Sequence, residues 1–337
     1  MESAKPGLDP LSRGFEEYYS ALEMRRAKKP VVTDSLTKYT SDFIIRKAKQ
    51  NKPFIAFLSY YDVHTPIYEY PDLINHYKDK LRTAGEGLES PVVAEHSGVT
   101  RTVQNNPQYA SMVGAVDKSV GSIQRLLKTL GIEKNTIIVF TSDNGGLATS
   151  KKAGPTSNAP YRSGKGWLYE GGIRVPLIVK YPAEIKASAI CRVPTMSTDF
   201  YPTILQWAGL PSHPELHKDG VSLVPLLKQT GTLSRTDFYW HYPHYHGSTW
   251  TPGAAIRSGD WKLIVFYETD TYELYNLKED PSEKQDLAVR KPEIVKQLKE
   301  KLEKWQKNCG ARLPVVNNEY DPLRKTGQQS SNDSNEL

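Results

Sequence analysis

The chain has 337 residues, 38% hydrophobic and 24% charged, which allows one large globular domain or two unequal ones. Lys and Arg outnumber Asp and Glu by 44 to 38, a dispersed surplus of +6 that argues against a nucleic-acid patch and suits a small anionic substrate. The two cysteines, Cys191 and Cys309, give no disulfide framework or zinc spacing, and no run of 18 apolar residues reads as a membrane span.

Residues 1–30 are polar and broken by Pro and Gly, with room for a short helix over Phe15–Arg26. Leu36, Tyr39, Phe43 and Ile44 then fall on one helix face, with Thr33 or Asp34 as the N-cap. "FIAFLSY" (Phe54–Tyr60) reads as a buried parallel strand, and the unpatterned stretch from Tyr61 to Pro107 as a functional or mobile loop. A long amphipathic helix over Tyr109–Leu130 stops at Gly131 and leads into the strand "TIIVFT" (Thr136–Thr141). Strand, excursion, helix, strand predicts an α/β fold with a mostly parallel central sheet flanked by helices. "RVPLIVKYP" is a further strand, and "STDFYPTILQWAG" a helix capped by Thr198 or Asp199 and ended by Gly209.

From about Gln229 the pattern changes. "DFYWHY", "GAAIRSGDWKLIVFYE" and "TYELYNL" alternate between Gly and Asp turns, which predicts a smaller C-terminal antiparallel sheet. A helix with Ile294, Leu298, Leu302 and Trp305 on one face closes it. The expected division is an α/β domain over 1–228, an antiparallel subdomain over 229–312 and a polar, disordered tail over 313–337, which holds the N-glycosylation match at Asn332.

In open α/β sheets, ligands sit beyond the carboxyl ends of the strands. "IIVFTSDNGG" (137–146) places Asp143 and Asn144 at such an end; they are either turn chemistry or oxygen ligands for a hard cation. His64 follows the Phe54–Tyr60 strand and is either structural or functional. Lys165, in "YRSGKGWLYEGG", is either a surface lysine or an anion contact whose flanking glycines admit a ligand close to the backbone. "HYPHYHG" sets His241, His244 and His246 among tyrosines, a poor zinc pattern but a reasonable rim for a polar ligand.

Taken in order, "FLSYYDVHTP", "IIVFTSDNGG", "GKGWLYEGGIRVPLIVKYP", "STDFYPTILQWAGLP" and "AIRSGDWKLI…ELYNLKEDPSEKQDL" resemble the type I sulfatases of the alkaline phosphatase superfamily. The similarity runs from about Val31 to the closing helix, and the tyrosine-rich C-terminal part looks most like sulfatases of sulfated sugars and glycans. The resemblance implies that Asp143 and Asn144 bind Ca²⁺, that Lys165 contacts the sulfate and leaving group, and that His64 donates to the sulfate. It makes His241 and His244 candidates for substrate binding, with a sulfated carbohydrate as partner rather than nucleic acid. For Asp199 and Thr203, capping and packing are the favoured roles. An extracellular, periplasmic or lysosomal location is what the resemblance implies.

The signature Cys-x-Pro-x-Arg or Ser-x-Pro-x-Arg, whose first residue becomes the nucleophile formylglycine, is not found, nor are the two adjacent aspartates of the first strand. "CRVPT" at Cys191 has the wrong spacing. The expectation is a catalytic chain read without its N-terminal segment, leaving an incomplete Ca²⁺ site, no nucleophile, and an exposed sheet edge. The alternatives are a phosphate or phosphonate ester hydrolase of the same superfamily, or a non-catalytic glycan-binding protein.

Overall fold

A computed structural model describes residues 9–20, 32–85 and 91–318. The end of the Phe15–Arg26 patch and the tail from residue 319, with Asn332, lie outside the described residues. These form two compact units, one of 9–20, 32–85 and 105–136, the other of 91–104 and 137–318.

The first unit is helical. Helix α1 (Val32–Lys49) and helix α2 (Pro71–Thr83) both pack on α3 (Pro107–Thr129). Pro107 occupies the start of α3, where its missing N–H is harmless, and the Asn106 side chain accepts from the amides of Gln108 and Tyr109. Helix α1 already includes Val32, so Thr33 is no cap; its hydroxyl donates instead to Asp62 at 2.6 Å. The stretch expected to be loop contains α2, which starts at Pro71 and buries Ile74. Phe54–Tyr60 joins no ladder among the described residues. Leu58 packs on Val32 and Leu36, whereas Ile55 and Phe57 are 67% and 80% exposed.

In the second unit every ladder is antiparallel. Strands β1 (Val92–Glu95), β2 (Gly98–Arg101) and β4 (Thr149–Ser150) form one sheet, and β3 (Ile138–Thr141) and β5 (Leu177–Lys180) form another, with Val139 opposite Val179. The α/β architecture and its C-terminal antiparallel sheet with closing helix are therefore present. The mostly parallel pairing expected of the central strands is not seen among the described residues. Apolar runs carry no direction, and the chain between β3 and β5 contains the two-residue strand β4 and, for a helix, only the four-residue α4 (Glu170–Ile173). Without a long helical crossover, the return strand lies antiparallel. Both faces of this ribbon are apolar, yet none of its residues is buried; Val139 is 43% and Ile178 60% exposed.

The main core lies on the two faces of the sheet β6 (Asp237–Tyr242), β7 (Gly253–Ser258), β8 (Trp261–Phe266) and β9 (Thr271–Asn276), paired in chain order. Its period of two sorts the side chains. Ala254, Ile256, Leu263 and Leu274 meet Leu298 and Leu302 of the closing helix α7 (Pro292–Cys309), and Trp305 stacks on Tyr239 at 4.9 Å. Ala255, Ile264, Phe266 and Tyr275 meet Trp167 and Tyr169 of the glycine-rich loop. Helices α5 (Phe200–Trp207) and α6 (Val224–Leu227) complete the unit.

That loop is also pinned by charge. Lys262, fully buried on β8, lies 3.0 Å from Glu170 Oε1 and 2.8 Å from Glu283 Oε1. The Lys262–Glu170 contact is a directed hydrogen bond; the Lys262–Glu283 contact is ionic, its alignment falling outside a hydrogen bond. Glu283 Oε2 accepts the Glu170 amide at 2.6 Å. Arg162 forks onto Glu95, with its shortest contact at 2.6 Å, donates to the Tyr275 hydroxyl at 2.8 Å, and lies 3.9 Å over the Tyr169 ring.

Against this anchored loop runs the turn after β3, and the two meet backbone to backbone. The Gly145 amide donates to Gly172 O at 2.9 Å and the Lys165 amide to Gly146 O at 3.1 Å. Asn158 closes the join, accepting from the Gly146 amide and donating to Gly146 O and Ser163 O. A Cβ on Gly145 would stand 1.7 Å from Gly171 O, and one on Gly164 2.2 Å from Gly146 O. The glycines serve this contact between backbones, whereas the sequence suggested a contact with ligand.

Gly145→Ala is expected to force the two loops apart and cost about 3 kcal/mol, lowering Tm by roughly 10 °C. Gly247→Ala, where a Cβ meets nothing within 4 Å, is the matched control and leaves Tm unchanged. Equal melting of the two variants would remove the interlock as a constraint.

The triad predicts a pH dependence. Burial, against the pull of Lys262, pushes the Glu283 carboxyl up from 4.5 to about 7. The folded state therefore favours the protonated form. The cost of ionising it is absent below about pH 4.5 and complete above about pH 7, so stability falls by about 3 kcal/mol as pH rises through that window. Thermal melts at pH 5 and pH 8 should show this loss in the wild type and its flattening in Glu283→Gln; parallel pH profiles would contradict it.

Candidate active site

The interlocked loops carry three of the side chains singled out in the sequence. Asp143 is exposed and Asn144 half-buried just beyond the end of β3, with the Ser142 hydroxyl donating to Asn144 O at 2.9 Å. Lys165 projects from the opposing loop, half-buried, its own amide bonded to Gly146, two residues past Asn144. Among the described residues its ammonium is paired with no carboxylate and shares no hydrogen bond. A lysine held by its backbone, with a free ammonium, is suited to an anion that arrives from solution.

His64 belongs to the helical unit. Its amide donates to Tyr61 O at 2.9 Å, closing a turn, and its Nδ1 lies 2.7 Å from Thr65 O and 3.2 Å from the Tyr61 hydroxyl. A carbonyl oxygen only accepts, so Nδ1 carries the proton. Nε2 of the exposed ring then bears a lone pair in the neutral form and donates only as imidazolium.

The histidines of "HYPHYHG" separate. His241, on β6, spends both ring nitrogens inside the protein, Nδ1 on the Tyr267 hydroxyl at 2.9 Å and Nε2 on Arg312 O at 3.0 Å. His244 is exposed, its ring edge-on to Tyr242. His246, which the pattern did not set apart, lies against the Lys165 loop: Gly166 has φ +84°, and a Cβ there would stand 2.1 Å from His246 Nδ1. Ser248 holds that ring, its amide donating to Nδ1 at 3.1 Å, and its carbonyl accepts from the Trp167 indole at 2.8 Å. The glycine after Lys165 was the available signal for this approach.

Asp199 and Thr203 are structural in geometry. The buried Asp199 carboxylate receives Arg235 at 2.7 and 2.6 Å and the amides of Met196 and Val221. The Thr203 hydroxyl donates to Asp199 O and accepts the Leu223 amide.

For a cation, the donor chemistry fits and the donor number does not. Asp143 and Asn144 present hard oxygens, but Ca²⁺ takes six to eight. Among the described residues no three His, Cys, Asp or Glu side chains converge on a metal position. The pair is at most part of a coordination shell.

No described helix is long and apolar enough to cross a membrane. The family model for sulfatases matches residues 6–210, and that for the C-terminal part of N-sulphoglucosamine sulphohydrolase matches 163–308. A sulfatase of Formosa agariphila is 33% identical over 297 residues, covering 81% of this chain and 50% of its own length. An N-acetylglucosamine-6-O-sulfatase of Bacteroides thetaiotaomicron is 32% identical over 216 residues, 59% of this chain and 36% of that protein. The chain thus spans half or less of these relatives. The crystal structure of Ps i-CgsB with k-i-k-neocarrahexaose superposes with a TM-score of 0.69 over 89% of this chain and 68% of that one, at 24% identity, which shows the shared fold. The loop that presents Lys165 and the strand end that presents Asp143 and Asn144 thus lie within matched sequence, and the chain belongs to the sulfatase family.

Proposed function

We propose that this chain forms part of a hydrolase that cleaves sulfate esters of a sugar or glycan. The observation that carries this reading is Lys165, its ammonium unpaired among the described residues and its backbone amide bonded to Gly146 O, beside the strand end that holds Asp143 and Asn144. An anionic ester placed there meets a positive point charge in a partly desolvated setting, where each charge contact counts for more than in water. Lys165 binds the sulfuryl oxygens and offsets charge as the S–O bond breaks. His64 contributes a donor from Nε2 when protonated. Asp143 and Asn144 supply part of a Ca²⁺ shell, and the bound ion, where complete, would add Lewis-acid stabilisation. The nucleophile, formylglycine in this reading, and the remaining metal ligands come from sequence other than these 337 residues. Of the C-terminal histidines, His244 is the more available for substrate, since His241 has both nitrogens engaged. Sugar-sulfate chemistry is supported by the Bacteroides relative's named activity. An extracellular, periplasmic or lysosomal setting belongs to the same proposal.

Two tests follow from the donor count and from Lys165. The chain alone is expected to bind Ca²⁺ no more tightly than about 1 mM by calorimetry, the weak end of protein calcium sites. Micromolar binding would show a complete site and contradict the shared shell. Coding sequence upstream of Met1 is expected to carry Cys-x-Pro-x-Arg or Ser-x-Pro-x-Arg in frame. The extended protein should release sulfate from sulfated sugars, with kcat/KM reduced on the order of 100-fold or more by Lys165→Ala. Sulfate release unaffected by that substitution would remove Lys165 from catalysis. Sugar binding by an extended protein that releases no sulfate would favour a glycan-binding function.

A further inference from the structure

Asp62 precedes His64 by two residues and has no place in the chemistry above, yet its carboxylate is the hub of the helical unit's polar interior. Three hydroxyls from three places in the chain converge on it. Thr33, in the first turn of α1, donates to Oδ2 at 2.6 Å, Tyr70 donates to Oδ2 at 2.5 Å, and Tyr68 donates to Oδ1. Burial, reinforced by the hydrogen bonds to Asp62, raises the phenols of Tyr68 and Tyr70 far above their usual range, so both remain donors. Two of the donors, Thr33 and Tyr70, are themselves fixed. Thr33 O accepts from Thr37, whose hydroxyl shares a 2.5 Å contact with Ser119 of α3, and Ser119 also meets the Tyr60 hydroxyl at 2.8 Å. The Tyr70 amide donates to Ser111 of α3 at 3.1 Å.

Asp62 lies inside the Tyr61–His64 turn, so a carboxylate held at three points holds the backbone of that turn. His64 stands at its end with Nδ1 already committed to Thr65 O. We propose that Asp62 is a positioning residue: the Thr33–Tyr68–Tyr70 clamp on its carboxylate fixes the Tyr61–Thr65 backbone, which locks His64 in the Nδ1–H tautomer with Nε2 facing outward. This rests on the sulfatase reading only for the use to which Nε2 is put. It adds a half-buried carboxylate that never touches substrate but decides which nitrogen of His64 does.

The test uses ¹⁵N-histidine-labelled full chain and reads the His64 ring nitrogens by NMR at a pH where the ring is neutral. The wild type should show one tautomer, with a protonated Nδ1 and a bare Nε2. Asp62→Asn, which keeps the volume and loses the charge, should move both shifts toward the averaged values of a free imidazole. Tyr70→Phe removes a single donor with little change of shape; should Asp62→Asn fail to fold, it carries the test and should give a smaller shift in the same direction. Unaltered His64 shifts in folded Asp62→Asn or Tyr70→Phe would overturn the proposal. Sulfate titration of the wild type separates the two claims. A tautomer that depends on Asp62 in a ring that ignores sulfate supports the positioning and counts against the sulfatase role of His64 alone.

Discussion

The contact on which the rest of the larger unit depends is the fully buried Lys262 between Glu170 and Glu283. A buried cation with two carboxylates is no simple gain in stability, since removing three charges from water costs as much as their attraction returns. What it secures is position. Glu170 begins the short helix of the glycine-rich loop, Lys262 stands in the middle of the C-terminal sheet, and Glu283 lies in the turn after the last strand. Removing Lys262 would leave Glu170 and Glu283 buried without the cation between them, which penalises every arrangement in which the loop leaves the sheet.

From that anchor the geometry passes outward. Trp167 and Tyr169 pack on the sheet, with Arg162 and Glu170 holding the loop on either side of them. The loop, so held, offers its backbone to the turn after β3, and the glycines allow the two chains to touch. Asp143, Asn144 and Lys165 therefore share a frame made of main-chain hydrogen bonds, stiffer than one made of long side chains. The helical unit solves a similar problem differently. There a single carboxylate gathers hydroxyls from a helix and a loop, and the histidine it serves projects into solvent.

The C-terminal sheet and closing helix were legible because alternation, Gly–Asp turns and a clean apolar helix face each say the same thing. The site motifs were legible because their glycines and charges stand close together in sequence. Direction of pairing was not. Phe54–Tyr60 and Ile138–Thr141 are apolar at nearly every position, and such runs encode burial without saying which neighbour supplies it. Nothing in the strand around Lys262 signals its burial, which Glu170, 92 positions away, and Glu283 accompany. Asp62 was equally opaque, since residues 33, 68 and 70 have no pattern in common until α1 and the stretch before α2 meet. Helix α2 was missed because its few apolar residues bury little more than Ile74.

The Phe54–Tyr60 stretch has a consequence for handling. A seven-residue apolar segment outside any ladder among the described residues, with Ile55 and Phe57 turned to solvent, has the composition of a cross-β template. Two residues restrain it: Pro53 withholds an amide at its leading end, and Lys52 places a charge beside it. These 337 residues alone are therefore expected to lose soluble protein as their concentration rises.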